Sequence, residues 1–184
     1  MRIISGKLGG RKLYSLSGRH IRPTSDRVRE ALFSILAERV AAAAVLDLFA
    51  GTGALGIEAI SRGARSVVSI DNSREAVGTI RKNVRHLALE EAIRTIQWDI
   101  ARNLNCIQTT APAYDLVFMD PPYERELVGK ALDNLHHSRS VIPGALLVVE
   151  HSRREELPVN RDFLEQTDQR KYGKTLVSFL TYMI

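Results

Sequence analysis

Cysteine is almost missing from this chain: Cys106 stands alone among 184 residues. An internal disulfide is therefore excluded. A reducing compartment, the cytoplasm, is the expected location, with Cys106 as a small buried hydrophobe. No Cys/His cluster has metal-ligand spacing, so no metal is expected. No apolar run reaches about 18 residues, so no membrane-spanning helix is expected. The start, Met1-Arg2-Ile3-Ile4-Ser5-Gly6-Lys7, lacks the apolar centre of a signal peptide. Internal repeats and low-complexity segments are missing too. What remains is an ordinary globular composition, 45% hydrophobic and 26% charged. The length suits one domain with a core of its own.

Charge is unevenly spread. Residues 1–30 carry eight basic side chains and two acidic ones, and the rest of the chain is close to neutral. The net charge of +5 therefore arises at the N-terminus. Arg2, Lys7, Arg11, Lys12, Arg19, Arg27 and Arg29 form a candidate RNA-binding set, because a local basic surface suits a polyanion. A solvated basic arm with no partner is the competing reading.

Arg2-Ile3-Ile4 and Arg11-Lys12-Leu13-Tyr14 flank a turn at Gly6, Gly9 and Gly10, which predicts a short β-hairpin. It is too small to fold alone and must lean on the main domain. The expected organisation is one domain over 1–184, with 1–24 a basic extension and 25–184 the catalytic core. A helix is expected from the Pro23-Thr24-Ser25-Asp26 start to about Val40, with Val28, Leu32, Ile35 and Leu36 as its apolar stripe. From Val45 strands and helices alternate. Strands are expected at 45–49, 66–70, 95–98, 116–119 and 145–150. Helices are expected up to about Arg62, from a Ser73 cap to Leu87, and over 127–135. The segment 41–44 reads as a helix end. Such alternation implies a parallel sheet covered by helices on both faces. Two terminal runs, 162–172 and 175–184, are joined by Gly173-Lys174 and predict an antiparallel hairpin. The segment 151–161, with His151, Arg153 and Arg154, reads as a solvated loop.

Two stretches carry chemistry. The first is Asp120-Pro121-Pro122-Tyr123, directly after the apolar run Leu116-Val117-Phe118-Met119. Two prolines fix φ and lack N–H donors, and the first holds Asp120 extended. The corner presents a carboxylate, carbonyls and an aromatic ring, which suits a planar ring bearing an exocyclic amine. The second is Asp47-Leu48-Phe49-Ala50-Gly51-Thr52-Gly53-Ala54-Leu55-Gly56. Gly51 and Gly53 let the backbone approach a ligand where ligands bind in a doubly wound sheet. The spacing also satisfies Gly-x-Gly-x-x-Gly, so a dinucleotide site is an alternative. Asp71, twenty residues after Gly51, is placed to accept from ribose hydroxyls, which both kinds of ligand carry. Asp47 disfavours a pyrophosphate and favours a ligand with an ammonium group. Asp99 is placed to accept from an adenine amine, and the Ile100 N–H to read the ring edge.

Asp47-x-Phe49-x-Gly51-x-Gly53, Asp71, Asp99 and Asp120-Pro121-Pro122-Tyr123 resemble the motif series of the SAM-dependent amino-methyltransferases (SAM, S-adenosyl-L-methionine). The N-terminal stretch extends the likeness. Arg2-Ile3-Ile4-Ser5-Gly6, Gly10-Arg11-Lys12-Leu13 and Arg22-Pro23-Thr24-Ser25-Asp26-Arg27-Val28-Arg29-Glu30-Ala31-Leu32-Phe33 are similar to the RsmD-type 16S rRNA (guanine-N2)-methyltransferases. The likeness runs from residue 2 to about 150. It implies an α/β, Rossmann-like methyltransferase fold with a seven-stranded, mostly parallel sheet in the order 3-2-1-4-5-7-6. It implies SAM as cofactor, held by Arg22, Thr24, Asp47, Phe49, Ala50, Gly51, Gly53, Asp71, Asn72, Asp99, Ile100 and Asp120. Asp120, Pro121, Pro122 and Tyr123 are the implied catalytic corner. The implied partner is 16S rRNA in the small ribosomal subunit, at a guanine in the P-site hairpin loop, and the expected state is a monomer. The Asp-Pro-Pro-Tyr motif specifies an amine rather than a base, so an adenine-N6 DNA methyltransferase is the nearest rival. An NAD(P)-dependent oxidoreductase leaves Asp47 and the proline corner unexplained. A non-catalytic RNA-binding protein leaves Asp120 and the glycine loop without a task.

Overall fold

The computed structural model describes residues 1–16, 26–108, 113–122, 127–155, 157 and 160–184. Its elements follow the order α1 (Asp26–Leu36), β1 (Ala44–Leu48), α2 (Ala54–Ser61), β2 (Ser66–Asp71), α3 (Arg74–Leu87), β3 (Ile93–Gln97), β4 (Tyr114–Met119), α4 (Leu127–Ser138), β5 (Val141–Ser152), β6 (Leu164–Tyr172) and β7 (Thr175–Tyr182). The seven strands form one sheet in the order β3-β2-β1-β4-β5-β7-β6. This is the strand order implied by the resemblance. No described helix is long and apolar enough to cross a membrane.

The chain falls into two compact units, Met1–Gln97 and Trp98–Ile184. In the first, β1 pairs in parallel with β2, and β2 with β3. All five residues of β1 are buried, as expected of a parallel strand covered on both faces. Val45, Leu46, Leu48, Ile57, Ile70 and Ile80 are fully enclosed. Helix α3 begins at the expected cap, where the Ser73 hydroxyl accepts from the Ala76 N–H at 3.3 Å. In the second unit β4 pairs in parallel with β5, and β7 is antiparallel to both β5 and β6. The terminal hairpin therefore forms as expected. Strand β6 lies at the sheet edge. Its charged, exposed residues and a register shift between Gln166 and Asp168 discourage pairing with a further strand.

Several local expectations change. The N-terminal hairpin forms as a short ribbon, with an antiparallel bridge from Arg2 to Lys12 and the N–H groups of Ile3, Gly10 and Leu13 donating to the carbonyls of Arg11, Ile3 and Met1 at 2.9, 2.9 and 3.0 Å. Contacts with α2 and α3 anchor it further. Glu58 accepts from the N–H groups of Ile4 and Ser5 at 2.7 and 3.0 Å. The Ser61 hydroxyl accepts from the Leu8 N–H at 2.9 Å. On α1, Phe33 is buried and Ile35 is 41% exposed, so Phe33 replaces Ile35 in the apolar stripe. Residues 41–44 are not a helix end, since Ala44 already belongs to β1. Strand β3 starts earlier than expected, at Ile93. Strand β5 is longer, Val141–Ser152: β7 pairs with it from Leu146 to Ser152, and Val141 pairs with Tyr114 of β4. Cys106 is only half-buried, in a short 3-10 turn. His151 is not on a solvated loop: it is 2% exposed in β5, with its Nε2 2.9 Å from the Ser178 hydroxyl.

Candidate active site

The glycine loop lies in the first unit, between β1 and α2. Three of its residues have positive φ: Phe49 at 59°, Gly51 at 57° and Gly53 at 77°. For Phe49 this is a strained conformation, and surrounding bonds must hold it. They are present. The Ala50 N–H donates to the Ile70 carbonyl at 3.0 Å, and the Gly53 N–H to the Ala50 carbonyl at 2.7 Å. Asp71 takes the Gly51 N–H on one carboxylate oxygen and the Ser73 N–H on the other, both at 2.9 Å. The end of β2 thus fixes the loop that follows β1. Each Asp71 oxygen retains a second lone pair for a ligand hydroxyl. Among the described residues only the Phe49 carbonyl, at 4.0 Å, would approach a Cβ on Gly51. The described residues therefore leave the loop open on that side.

Gly56 serves packing. A Cβ there would lie 2.8 Å from Val67 Cγ1 and 3.1 Å from Asp47 Oδ2. Its absence lets α2 settle on the sheet, and the Gly56 N–H then donates to Asp47 Oδ2 at 3.1 Å. Asp47 is only 2% exposed. Burial pushes its carboxyl up to about 7, against the lowering effect of the Gly56 N–H, and nearby Asp71 adds to the rise. What Asp47 contacts is the first turn of α2, so it acts as a brace for the loop.

The remaining candidates at strand ends lie in the second unit. Asp99 sits two residues beyond β3 in an exposed turn, and its side chain accepts from the Ala101 N–H at 3.0 Å. Ile100 is buried, and its carbonyl accepts from the Asn134 amide of α4 at 2.8 Å. Asp120 follows β4 directly and is half-buried, with Pro121 buried and Pro122 exposed. Asn72 is exposed beside Asp71 in the first unit. Arg19, Arg22, Thr24 and Tyr123 lie outside the described residues.

Among the basic residues, Arg2, Lys7, Arg11, Lys12 and Arg27 are exposed. Arg29 is not, and this corrects its place in the RNA-binding set. It is fully buried, donates to Asp26 at 3.1 Å and to the Arg2 carbonyl, and lies 3.9 Å from Glu58. That last separation is a charge contact rather than a hydrogen bond. Burial holds its guanidinium below the usual arginine range, against the opposing pull of Glu58 and Asp26. Its task is to tie α1 to the ribbon and α2.

Two residues escaped the sequence reading. Asn83 is fully buried on α3. It accepts the Tyr14 N–H at 2.7 Å and donates to the Tyr14 and Thr52 carbonyls at 3.1 and 3.0 Å. It therefore links the ribbon to the glycine loop. Asn134 holds the Ile100 carbonyl in the same way. The available signal was an amide placed within each helix's apolar stripe.

Comparison with known proteins agrees with this architecture. A family model described as "Conserved hypothetical protein 95" matches residues 1–181. A Bacillus subtilis protein named "Putative rRNA methyltransferase YlbH" is 33% identical over 178 residues, covering 97% of each chain. The Escherichia coli K12 "Ribosomal RNA small subunit methyltransferase D" is 35% identical, over 86% of this chain and 78% of its own. A solved structure described as "Putative methyltransferase yhhF from Escherichia coli" superposes with a TM-score of 0.87 at 31% identity, over 100% of this chain and 98% of the other.

Proposed function

The chain belongs to the family described as conserved hypothetical protein 95, and from that premise we propose that it methylates the exocyclic N2 amine of a guanine in 16S rRNA, with SAM as donor. The observation that carries the reading is an open, braced glycine loop after β1 in the first unit, taken together with Asp120-Pro121-Pro122 directly after β4 in the second. The relatives named as rRNA methyltransferases supply the substrate class. The N-terminal stretch 2–33 supplies the base, by its likeness to the guanine-N2 enzymes. The substrate is the small ribosomal subunit, at the loop of its P-site hairpin, and the enzyme works as a monomer in the cytoplasm.

The residues present fit SAM. Gly51 leaves space above the loop, and Asp71 keeps lone pairs for ribose hydroxyls. Asp99 and Ile100 receive the adenine. Arg22 and Thr24 serve the methionyl end. Asp47 acts through the loop it braces. When bound, SAM supplies an electrophilic methyl group on a sulfonium.

Asp120 and the Pro121 carbonyl accept the two N–H groups of the guanine amine. Held this way, the amine would be presented for methylation, the methyl group being what bound SAM would supply. Asp120 takes the released proton, directly or through water. Tyr123 stacks on the extruded base, a contact worth about 1–3 kcal/mol. Unstacking the base costs a few kcal/mol, least in a loop where the base is already open. Positioning therefore supplies most of the acceleration.

Incubation with methyl-labelled SAM and small subunits, naked 16S rRNA or DNA tests the reading. Label on guanine N2 of 16S rRNA is expected, and label on adenine overturns the base assignment. Asp120→Ala is expected to abolish turnover while calorimetry still detects SAM binding. An active Asp120→Ala enzyme removes Asp120 from the mechanism.

A further inference from the structure

The outer face of α3 is more basic and flatter than the fold requires. Arg74, Arg81, Lys82, Arg85 and His86 are all exposed on it, and Glu75 is the one acidic residue between positions 72 and 89. At the centre of this face stands Gly78. Residues 74, 81, 82 and 85 lie three, four or seven positions from it, so their side chains surround it. A glycine within a helix weakens it relative to alanine. Nothing among the described residues explains this one. Its φ is not positive, and a Cβ there would meet no described atom within 4 Å. The missing side chain leaves a shallow saddle bordered by Arg74, Arg81 and Lys82 and, three positions before it, by the single acid Glu75, so that a phosphate can come close to the helix backbone on the cationic side.

One end of the saddle is built in place. Tyr14 is 41% exposed, and its backbone is clasped on both sides by buried Asn83. The Lys82 ammonium lies 3.8 Å from the Tyr14 ring centroid, a cation–π distance, and the His86 ring stands edge-on at 5.4 Å. Arg11 of the ribbon donates to the His86 carbonyl at 3.2 Å. The same Asn83 amide reaches the Thr52 carbonyl of the glycine loop. The cationic strip is thus fixed to the ribbon on one side and to the loop on the other, all within the first unit.

We propose that the outer face of α3, from Arg74 to His86 with Gly78 as its saddle, is a docking strip for the sugar–phosphate backbone of the RNA substrate, continuous with Arg11 and Lys12 of the ribbon. The proposal rests on the rRNA reading above and extends it to a second element. Phosphates lie against Arg74, Arg81, Lys82 and Arg85. The Tyr14 ring holds the Lys82 ammonium at the end of the strip. Contacts of this kind set position and affinity, and leave sequence to the catalytic corner.

Filter binding of a 16S rRNA transcript over a series of KCl concentrations tests it, with two variants and their melting temperatures. Arg81→Gln/Arg85→Gln is expected to weaken binding and to lower the salt slope by about 1.4, two single-strand phosphate contacts. Gly78→Gln is expected to weaken binding without lowering the melting temperature, since it fills the saddle while improving the helix. Affinity and salt slope unchanged in both variants overturn the docking strip. A wild-type protein that neither binds nor methylates rRNA overturns the functional reading itself, a distinct outcome.

Discussion

Asp47 shows how one buried carboxyl shapes stability. Its folded value is about 7 and its ordinary value 3.8. Between these limits the native state holds a proton that the unfolded chain has lost. Stability therefore falls as pH rises from about 4 to about 7, by at most about 1.4 kcal/mol per unit, and this contribution is flat above. Asp47→Asn keeps an oxygen for the Gly56 N–H and removes the titration. Urea unfolding at pH 4.5, 6 and 7.5 should show the variant gaining on the wild type as pH rises. Parallel curves across that range would remove Asp47 as the source. The raised value was not legible in the sequence. An acid ahead of a glycine loop reads as a ligand-facing charge, and only the depth of β1 and the absent Cβ of Gly56 show that it is sealed beneath α2.

Elements were read well where periodicity and termini spoke for themselves. The α3 stripe of Val77, Ile80, Val84 and Leu87 is buried as the spacing required, and the Ser73 cap is in place. Elements were misread where a polar side chain serves the interior. Arg29 lies three residues before Leu32 and four before Phe33, on the buried face of α1, yet an arginine is expected outside. Glu58 is its counterpart in the otherwise apolar α2. It is fully buried, takes two ribbon N–H groups and pairs with Arg62 at 2.8 Å. No local pattern announces this burial, because the ribbon N–H groups that Glu58 takes lie more than fifty residues away. Glu58→Ala leaves Arg29 without its buried countercharge and should cost about 3–5 kcal/mol. Chemical denaturation measures the loss, and limited proteolysis should find residues 1–16 newly exposed to cleavage. A variant with wild-type stability and an intact ribbon would show that the ribbon docks by other means.

At the scale of the whole molecule, the strand order was available from the resemblance, and the alternation of strands and helices agreed with it. The family followed from motifs spread over most of the chain. Asn83 and Asn134 were not available, since each acts on a backbone carbonyl supplied by a distant loop. The charge distribution makes its own prediction. Replacing Arg2, Lys7, Arg11 and Lys12 by Gln should weaken RNA binding and flatten its salt dependence. Calorimetry should find SAM binding unchanged. An equal loss of both would mean that the ribbon supports the fold rather than the substrate.

The ribbon is held by its backbone. The groups that meet Glu58 and Ser61 are the N–H groups of residues 4, 5, 7 and 8 and the carbonyl of Ser5, and those that meet Asn83 are the N–H and carbonyl of Tyr14. An anchor of this type depends on side-chain identity at few positions: Ile3 and Leu13, which are buried, Gly6, where a Cβ would lie 2.0 Å from the Ser61 carbonyl oxygen, and Arg11, which donates to the His86 carbonyl. The outward positions of the ribbon are therefore free to drift or to be redesigned. Lys7 and Lys12 can be exchanged for neutral or acidic residues while the ribbon keeps its place, which makes this segment a mount whose surface charge can be retuned without rebuilding the fold beneath it.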